Sequence, residues 1–391
     1  MTAGRNSRPT GRSDFRRSDK VRVVINAIHA KSGGGVTHLR NLLPHLAEDG
    51  RLETHVFLHV NQYSQFEPVD DRVRIHLFDF TEGFLRTLIW EQIVVPVKAR
   101  SMRADVTFSL ANYGPLFAPK PVIMLRNALS VVGRERRFWK RVYWVGLAMM
   151  TLISLLSSRH AIAVSEYSRR ELTFGLKRTA RRKVSVVHHG VDEVFSPPDG
   201  GERKPYLLAV GDIYVQKNLH NLIQALAIAR RRCPDLCLKV AGRRIDEGYF
   251  SEVVAAVHKS GLDDAVEFLG PLSKESLRRY YRECGLFVFP STTETFGHPL
   301  VEAMASAAPI ASSNRTAMPE ILGEAGEYFD PLNPSEMADT IVRIILDPEL
   351  ADTLGERGRR QAERFSWRRS ARQTADVLVS VATGAVLPEP T

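Results

Sequence analysis

Glu294 and Glu302 stand eight residues apart in the segment STTETFGHPLVEAMASAAP, residues 291–309. Carboxylates accept hydrogen bonds from hydroxyl groups, so two of them on one loop and helix start suit a polyhydroxylated ligand. Gly297 permits close backbone approach, and Pro299, which lacks an N–H, suits the first turn of a helix. The free amides and positive dipole end of such a helix favour a pyrophosphate. Lys217, in AVGDIYVQKN, sits just before Asn218, the expected capping residue of another helix. An ordinary helix start accounts for Glu302 alone and leaves the TETFGHP loop unexplained.

Such residues need a loop at the C-terminal end of a buried strand, and the chain offers many strands. VRVVINA (21–27) is an apolar run that leads into Gly33, Gly34 and Gly35, then into a helix with Leu39, Leu42, Leu43 and Leu46 on one face. This strand, turn and helix point amides at a crevice. Further strands are expected at 54–59, 73–78, 106–109, 122–125 and 161–164, and one in KVSVVHHGVD. In SEYSRREL, Ser168 and Glu171 have capping-box spacing. SPPDGGERKP reads as a hinge. After it the alternation restarts with YLLAVG, a helix capped by Asn218, LCLKVAG, a helix near 250–258, AVEFLG, ESLRRYYREC and LFVFP. The helix beginning near Pro299, PIAS, EYFD, helices near 335–346 and 348–364, and an amphipathic FSWRRSARQTADVLVSV complete the pattern. Alternation of this length implies an α/β protein with mainly parallel sheets covered on both faces. The expected organisation is a basic tail (1–20), a first domain (21–200), a second domain (201–365), a last helix (366–384) and a short tail (385–391).

ETFGHPLVEAMA, with its two glutamates, closely resembles the signature of the retaining GT-B glycosyltransferases of family 4, the glycogen-synthase-like or group 1 enzymes. The GGG turn, VVHHGVDEVF and AVGDIYVQKN extend the resemblance over nearly the whole ordered chain. It implies two facing Rossmann-like domains, an N-terminal one for the acceptor and a C-terminal one for the nucleotide-sugar donor, with the last helix crossing back to the first domain. It further implies that Glu302 holds ribose hydroxyls, that Glu294 contacts the transferred sugar, and that Lys217 neutralises the departing diphosphate. Gly34, Gly35, Arg243 and the stretch Thr295, Phe296, Gly297, His298, Pro299 and Leu300 complete the implied donor site. No cofactor or metal is expected; the substrate is a GDP- or UDP-linked sugar, with GDP-mannose favoured. The acceptor is a glycan or lipid-linked glycan of bacterial surface polysaccharide, such as lipopolysaccharide, and the place of action the cytoplasm or the inner face of its membrane.

The sequence departs from the family pattern in three places. Asp212 follows Gly211 where relatives often carry arginine, leaving Lys217 with less help unless Arg243 or Arg244 reaches in. Arg126 and Asn127 occupy the place of a histidine–aspartate pair that touches the donor sugar, and so become the acceptor- or sugar-side candidates. His189 replaces an asparagine. A sugar-nucleotide epimerase and a non-enzymatic glycan-binding protein remain alternatives; a nicotinamide dehydrogenase is disfavoured because the first turn lacks GxGxxG.

Composition agrees with this class. A chain of 391 residues, 44% hydrophobic and 25% charged, suits two globular domains. The net charge of +10 gathers partly in Arg5, Arg8, Arg12, Arg16, Arg17 and Lys20. That stretch lacks an apolar core and is read as a disordered tail or a lipid-headgroup contact rather than a secretory signal. Basic clusters at 134–141 and 177–183 flank the uncharged stretch 142–156. It is shorter than the ~20 residues of a spanning helix, so it is either core or a helix resting on an anionic membrane. Three cysteines, Cys233, Cys237 and Cys284, give neither a disulfide framework nor metal-site spacing. No nucleic-acid-binding signature accompanies the charge.

Overall fold

Runs of Val, Ile, Leu and Phe bounded by turns form buried strands, and the computed structural model sets them in two sheets. It describes residues 20–31, 33–81, 83–127, 138–198, 200 and 203–386, without the side chains of 84, 138–141, 180 and 181. The first half runs β1 (Val21–Asn26), α1 (Gly34–Glu48), β2 (Leu52–His59), β3 (Arg74–Phe78), α2 (Phe84–Ser101), β4 (Val106–Ser109), β5 (Pro121–Leu125), α3 (Phe138–Ser157), β6 (His160–Ala163), α4 (Glu166–Leu172), α5 (Lys177–Lys183) and β7 (Val184–Val186). The second runs β8 (Lys204–Val210), α6 (Leu219–Ala229), β9 (Cys237–Ala241), α7 (Glu247–Lys259), β10 (Val266–Gly270), α8 (Lys274–Glu283), β11 (Cys284–Phe289), α9 (His298–Ala305), β12 (Ile310–Ser313), α10 (Met318–Leu322) and β13 (Glu327–Phe329). Helices α11 (Pro334–Ile345), α12 (Pro348–Ala362) and α13 (Trp367–Thr383) follow. The tail before residue 20, Arg134, Arg136 and Arg137 of the basic cluster and the middle of the SPPDGGERKP segment lie outside the described residues.

The first sheet has the order β3-β2-β1-β4-β5-β6-β7 and the second β10-β9-β8-β11-β12-β13. Neighbouring strands pair in parallel. In each sheet the order reverses beside the first strand, between β1 and β4 and between β8 and β11. Such reversals open a crevice at the strands' C-terminal ends. Side chains alternate across each strand: Val23 and Ile25 join one apolar cluster, whereas Val24 joins another with Phe57, Val95 and Ala99.

Helix α13 buries Ala371, Ala375, Val377 and Leu378 in the cluster that holds Leu39 and Leu42 of α1. The same cluster continues to Phe287, Phe289 and Leu300 of the second sheet's side. The last helix therefore crosses back and lies against α1, as the GT-B arrangement requires. Gly190 makes that crossing possible: a Cβ there would strike the backbone of Ser366 and Trp367. Beside it, the Val191 N–H donates to Phe365 O at 3.1 Å.

Two helix starts differ from expectation. Helix α4 is capped by Ser165, with Ser168 as its reciprocal partner, so the capping box lies one turn before the expected Ser168–Glu171 pair. Asn218 does stand at the start of α6, but in the left-handed conformation and without a side-chain cap. Its amide donates to Pro290 O (3.1 Å) and Pro331 O (2.7 Å), tying the turn after β8 to the ends of β11 and β13.

Candidate functional site

The short 3-10 turn Val215–Lys217 delivers Lys217 to the end of β8, where its Nζ lies 2.6 Å from Glu294 Oε1. The two side chains are only 11% and 16% exposed. Burial pulls the ammonium pKa down, but the Glu294 carboxylate and the Tyr214 phenol outweigh it and raise the value. Gly211 is shaped for this lysine: it has φ +146°, and a Cβ there would run into the lysine stem. Glu294 is fixed from behind by its own N–H, which donates to Thr316 Oγ1 at 3.1 Å.

Gly297 caps α9 with φ +89°, and Pro299 occupies its first turn, so the helix start is built as the residue types require. The ring of His298 stands there, feeling both Arg126 and Lys217; burial first, then these two cations, push its pKa down to about 4. It is therefore a neutral ring at physiological pH. Its face stacks on His189 (4.9 Å between centroids), and His189 Nδ1 meets His38 Nδ1 of α1 at 2.9 Å. Burial holds His38 and His189 well below the usual histidine range. Three neutral histidines thus pack where α1, the β7 exit and α9 converge.

Glu302 lies one turn further along α9. Tyr281 of α8 donates to its Oε2 at 3.1 Å, and burial pushes the carboxyl up to about 7 against the pull of that bond and of Lys274. Between these points the ends of β8, β9 and β10 form a cleft lined by Gly211, Gly242, Arg243, Pro271, Leu272 and Leu277. Gly242 is required here because a Cβ would collide with Gly211 O. A flat heterocycle fits such an apolar, backbone-lined slot.

Some expected residues are otherwise engaged. Arg243 binds Asp212 through Nη2 at 2.6 Å and Nε at 3.1 Å, and Arg244 lies over the Phe250 ring at 4.1 Å. The Leu300 and Phe296 side chains are in the apolar core, so only their backbones can meet a ligand. Thr295 joins the halves: its Oγ1 donates to Arg126 O at 2.5 Å, and its carbonyl accepts from Ser165 Oγ at 2.6 Å. Across the crevice, Asn112 Oδ1 accepts from the N–H groups of Arg126 and Asn127 at 2.8 and 2.9 Å. The Arg126 guanidinium lies over Gly35, where a Cβ would clash with it, and Gly34 faces His298.

Other functional candidates had not been singled out. Tyr281 lies four residues after Leu277 on α8 and three before Cys284, the residue that ends the helix, a spacing that makes its burial legible, but not its acid partner. Glu320 of α10 accepts from the N–H groups of Glu166 and Tyr167 at 2.7 and 2.9 Å and pairs with His188, so it caps a helix of the opposite half. Among the described residues, no group of three or more His, Cys, Asp or Glu could hold a metal ion, and no helix is long and apolar enough to cross a membrane.

Residues 192–361 match the family model of glycosyl transferases group 1. The chain is 29% identical over 237 residues to O-antigen chain mannosyltransferase B of Escherichia coli, covering 56% of this chain and 60% of that protein. It is 28% identical over 249 residues to MMP alpha-(1->4)-mannosyltransferase of Mycolicibacterium hassiacum, covering 62% and 59%. These matches span less than two thirds of the curated relatives. Sucrose-phosphate synthase from Thermosynechococcus elongatus superposes with a TM-score of 0.76 at 19% identity, over 94% of this chain and 100% of that one. HepE of Anabaena, solved with UDP and glucose, does so with a TM-score of 0.71 at 19% identity, over 92% and 99%.

Proposed function

We propose that this chain, whose residues 192–361 match the group 1 glycosyl transferases and whose fold is GT-B, moves a hexosyl unit from a nucleoside-diphosphate sugar to a glycan or lipid-linked glycan acceptor. The observation that carries this reading is the Lys217–Glu294 pair beside the start of α9, with Glu302 one turn along. The base enters the slot between Gly242 and Leu272, the ribose hydroxyls meet Glu302, and the diphosphate lies between Lys217 and the amides of Gly297 and His298. Glu294 turns to the sugar hydroxyls. As the C1–O bond to phosphate breaks, negative charge grows on the departing oxygen. Fixed donors and cations stabilise that charge without reorganising. The acceptor oxygen forms the new bond to C1, and its proton passes to the departing phosphate. Retention of configuration follows from the family resemblance.

Two curated relatives are named as mannosyltransferases, one of them for O-antigen chains, which supports a mannosyl unit as the group transferred and a surface polysaccharide as the product; GDP-mannose is the donor we infer. The acceptor side is the first half, whose helices α2 and α3 present apolar residues to solvent. That supports a lipid-linked acceptor at the inner face of the cytoplasmic membrane. Incubation with GDP-mannose, UDP-glucose and UDP-galactose, following released nucleotide, tests the reading. GDP release from GDP-mannose is expected, and Lys217→Ala is expected to lower it by ~10²-fold or more, the scale of removing an oxyanion donor. Interconversion of sugar nucleotides without nucleotide release would identify an epimerase instead.

A further inference from the structure

The cations around the crevice are unequally employed. Lys217 is matched by Glu294, Arg243 by Asp212 and Arg315 by Asp330. A carboxylate beside each of these three, and Arg244 laid over the Phe250 ring, leave the second half with little free positive charge for a diphosphate. Arg126 differs: among the described residues no ion pair or hydrogen bond reaches its guanidinium, and its Nε is covered with no partner at all. Burial alone lowers its pKa, to about 10, with no carboxylate opposing the shift. A desolvated charge without a counter-ion is costly, and such a group is usually matched by something that binds.

The place of Arg126 says what that is. Its backbone is pinned from both halves, by Asn112 within the first sheet and by Thr295 from the loop before α9. The guanidinium lies over Gly35 in the first turn of α1, a helix of 15 residues. His298, the first residue of α9, feels both Arg126 and Lys217, so the two cations flank one ring. Two helix N-termini, one from each half, and one unmatched guanidinium therefore converge on the phosphate side of the candidate site.

We propose that Arg126, contributed by the first half, is the diphosphate's principal unmatched cation, so that binding of the leaving group bridges the two halves. The proposal rests on the donor-site reading above. It makes Arg126 a charge-recognition residue rather than an acceptor residue, and it makes nucleoside diphosphates much better ligands than nucleosides only when both halves are engaged.

The test is calorimetry of UDP, GDP, uridine and guanosine on wild type, Arg126→Met and Arg126→Lys, with thermal unfolding of each ligand-free protein. Arg126→Met should weaken the preferred diphosphate roughly tenfold or more, the scale of charged hydrogen bonds, and leave its nucleoside within about twofold. Arg126→Lys should fall between. Ligand-free Arg126→Met should melt higher than wild type, because an uncompensated charge has been removed; a merely structural arginine would give the opposite shift. Unchanged diphosphate affinity, or equal loss for nucleoside and diphosphate, overturns the proposal while leaving the donor reading standing. A wild type that binds neither diphosphate removes the donor reading and this proposal together.

Discussion

Glu302 shows how one side chain can report on a site through pH. Its carboxyl is pushed up to about 7 by burial, above the 4.5 of a free glutamate. The native protein thus keeps a proton that the unfolded chain releases between those values. Stability from this group is full below about 4.5 and declines as pH rises through about 7. Ligand binding has the opposite slope, since the ionised carboxylate is the stronger acceptor for ribose hydroxyls. His298, held near 4, does not titrate in that window. Nucleoside affinity measured by calorimetry from pH 5.5 to 8.5 should therefore strengthen through about 7. Glu302→Ala should flatten the profile and weaken binding by ~1.5–3 kcal/mol at the alkaline end. An identical profile in the variant would detach Glu302 from the ribose.

At the scale of elements, the crossing of the HHGVD segment under the start of α13 depends on Gly190. Gly190→Ala places a methyl against the Trp367 N–H, and overpacking of this kind destabilises by ~1–3 kcal/mol. Thermal unfolding should show that loss, with Val191→Ala milder; an unchanged melting curve would mean that the two segments separate freely. Gly190 was legible only as part of a recognisable stretch, because the partner backbone is remote in sequence. Strands were legible within a residue or two, since burial on both faces leaves apolar runs that turns must end. Helix starts were less so. Ser165 and Ser168 are both capping residues, and only the end of β6 decides which one caps. Asn218 was placed correctly, yet its side chain is drawn away by two proline carbonyls. The Glu294–Glu302 segment was readable because its parts are local. The His38–His189–His298 stack was not, because it joins three distant positions through packing alone.

Across the whole molecule, one apolar cluster ties both sheets together on the α1 and α13 side, while α2 and α3, on the first sheet, carry exposed apolar residues. On α2, Leu85, Ile89, Ile93 and Val97 recur every four residues and are 68%, 58%, 60% and 59% exposed. On α3, Val142, Val145, Met149, Ile153 and Leu156 form a second exposed stripe. The two helices are neighbours: Gln92 Nε2 of α2 donates to Gly114 O, and the Gly114 N–H donates to Ser154 Oγ of α3. Leu88 of α2 packs into the cluster that holds Leu147 and Leu155. The sole carboxylate on either helix is Glu91, which is fully buried, whereas Arg86, Lys98 and Arg100 are exposed. Helices with an apolar face, a basic border and no exposed acid of their own match an anionic bilayer surface. Co-sedimentation with anionic vesicles, but not neutral ones, is expected, falling steeply between ~50 and 500 mM salt as screening lengths shrink. Ile89→Glu with Ile93→Glu should abolish it and leave nucleotide binding intact, because both side chains lie on the exposed face of α2 and not among Lys217, Glu302 and Arg126 at the crevice. If wild type ignores anionic vesicles at low salt, the bilayer is not what these stripes meet. The acceptor would then have to reach the crevice without a membrane beside it.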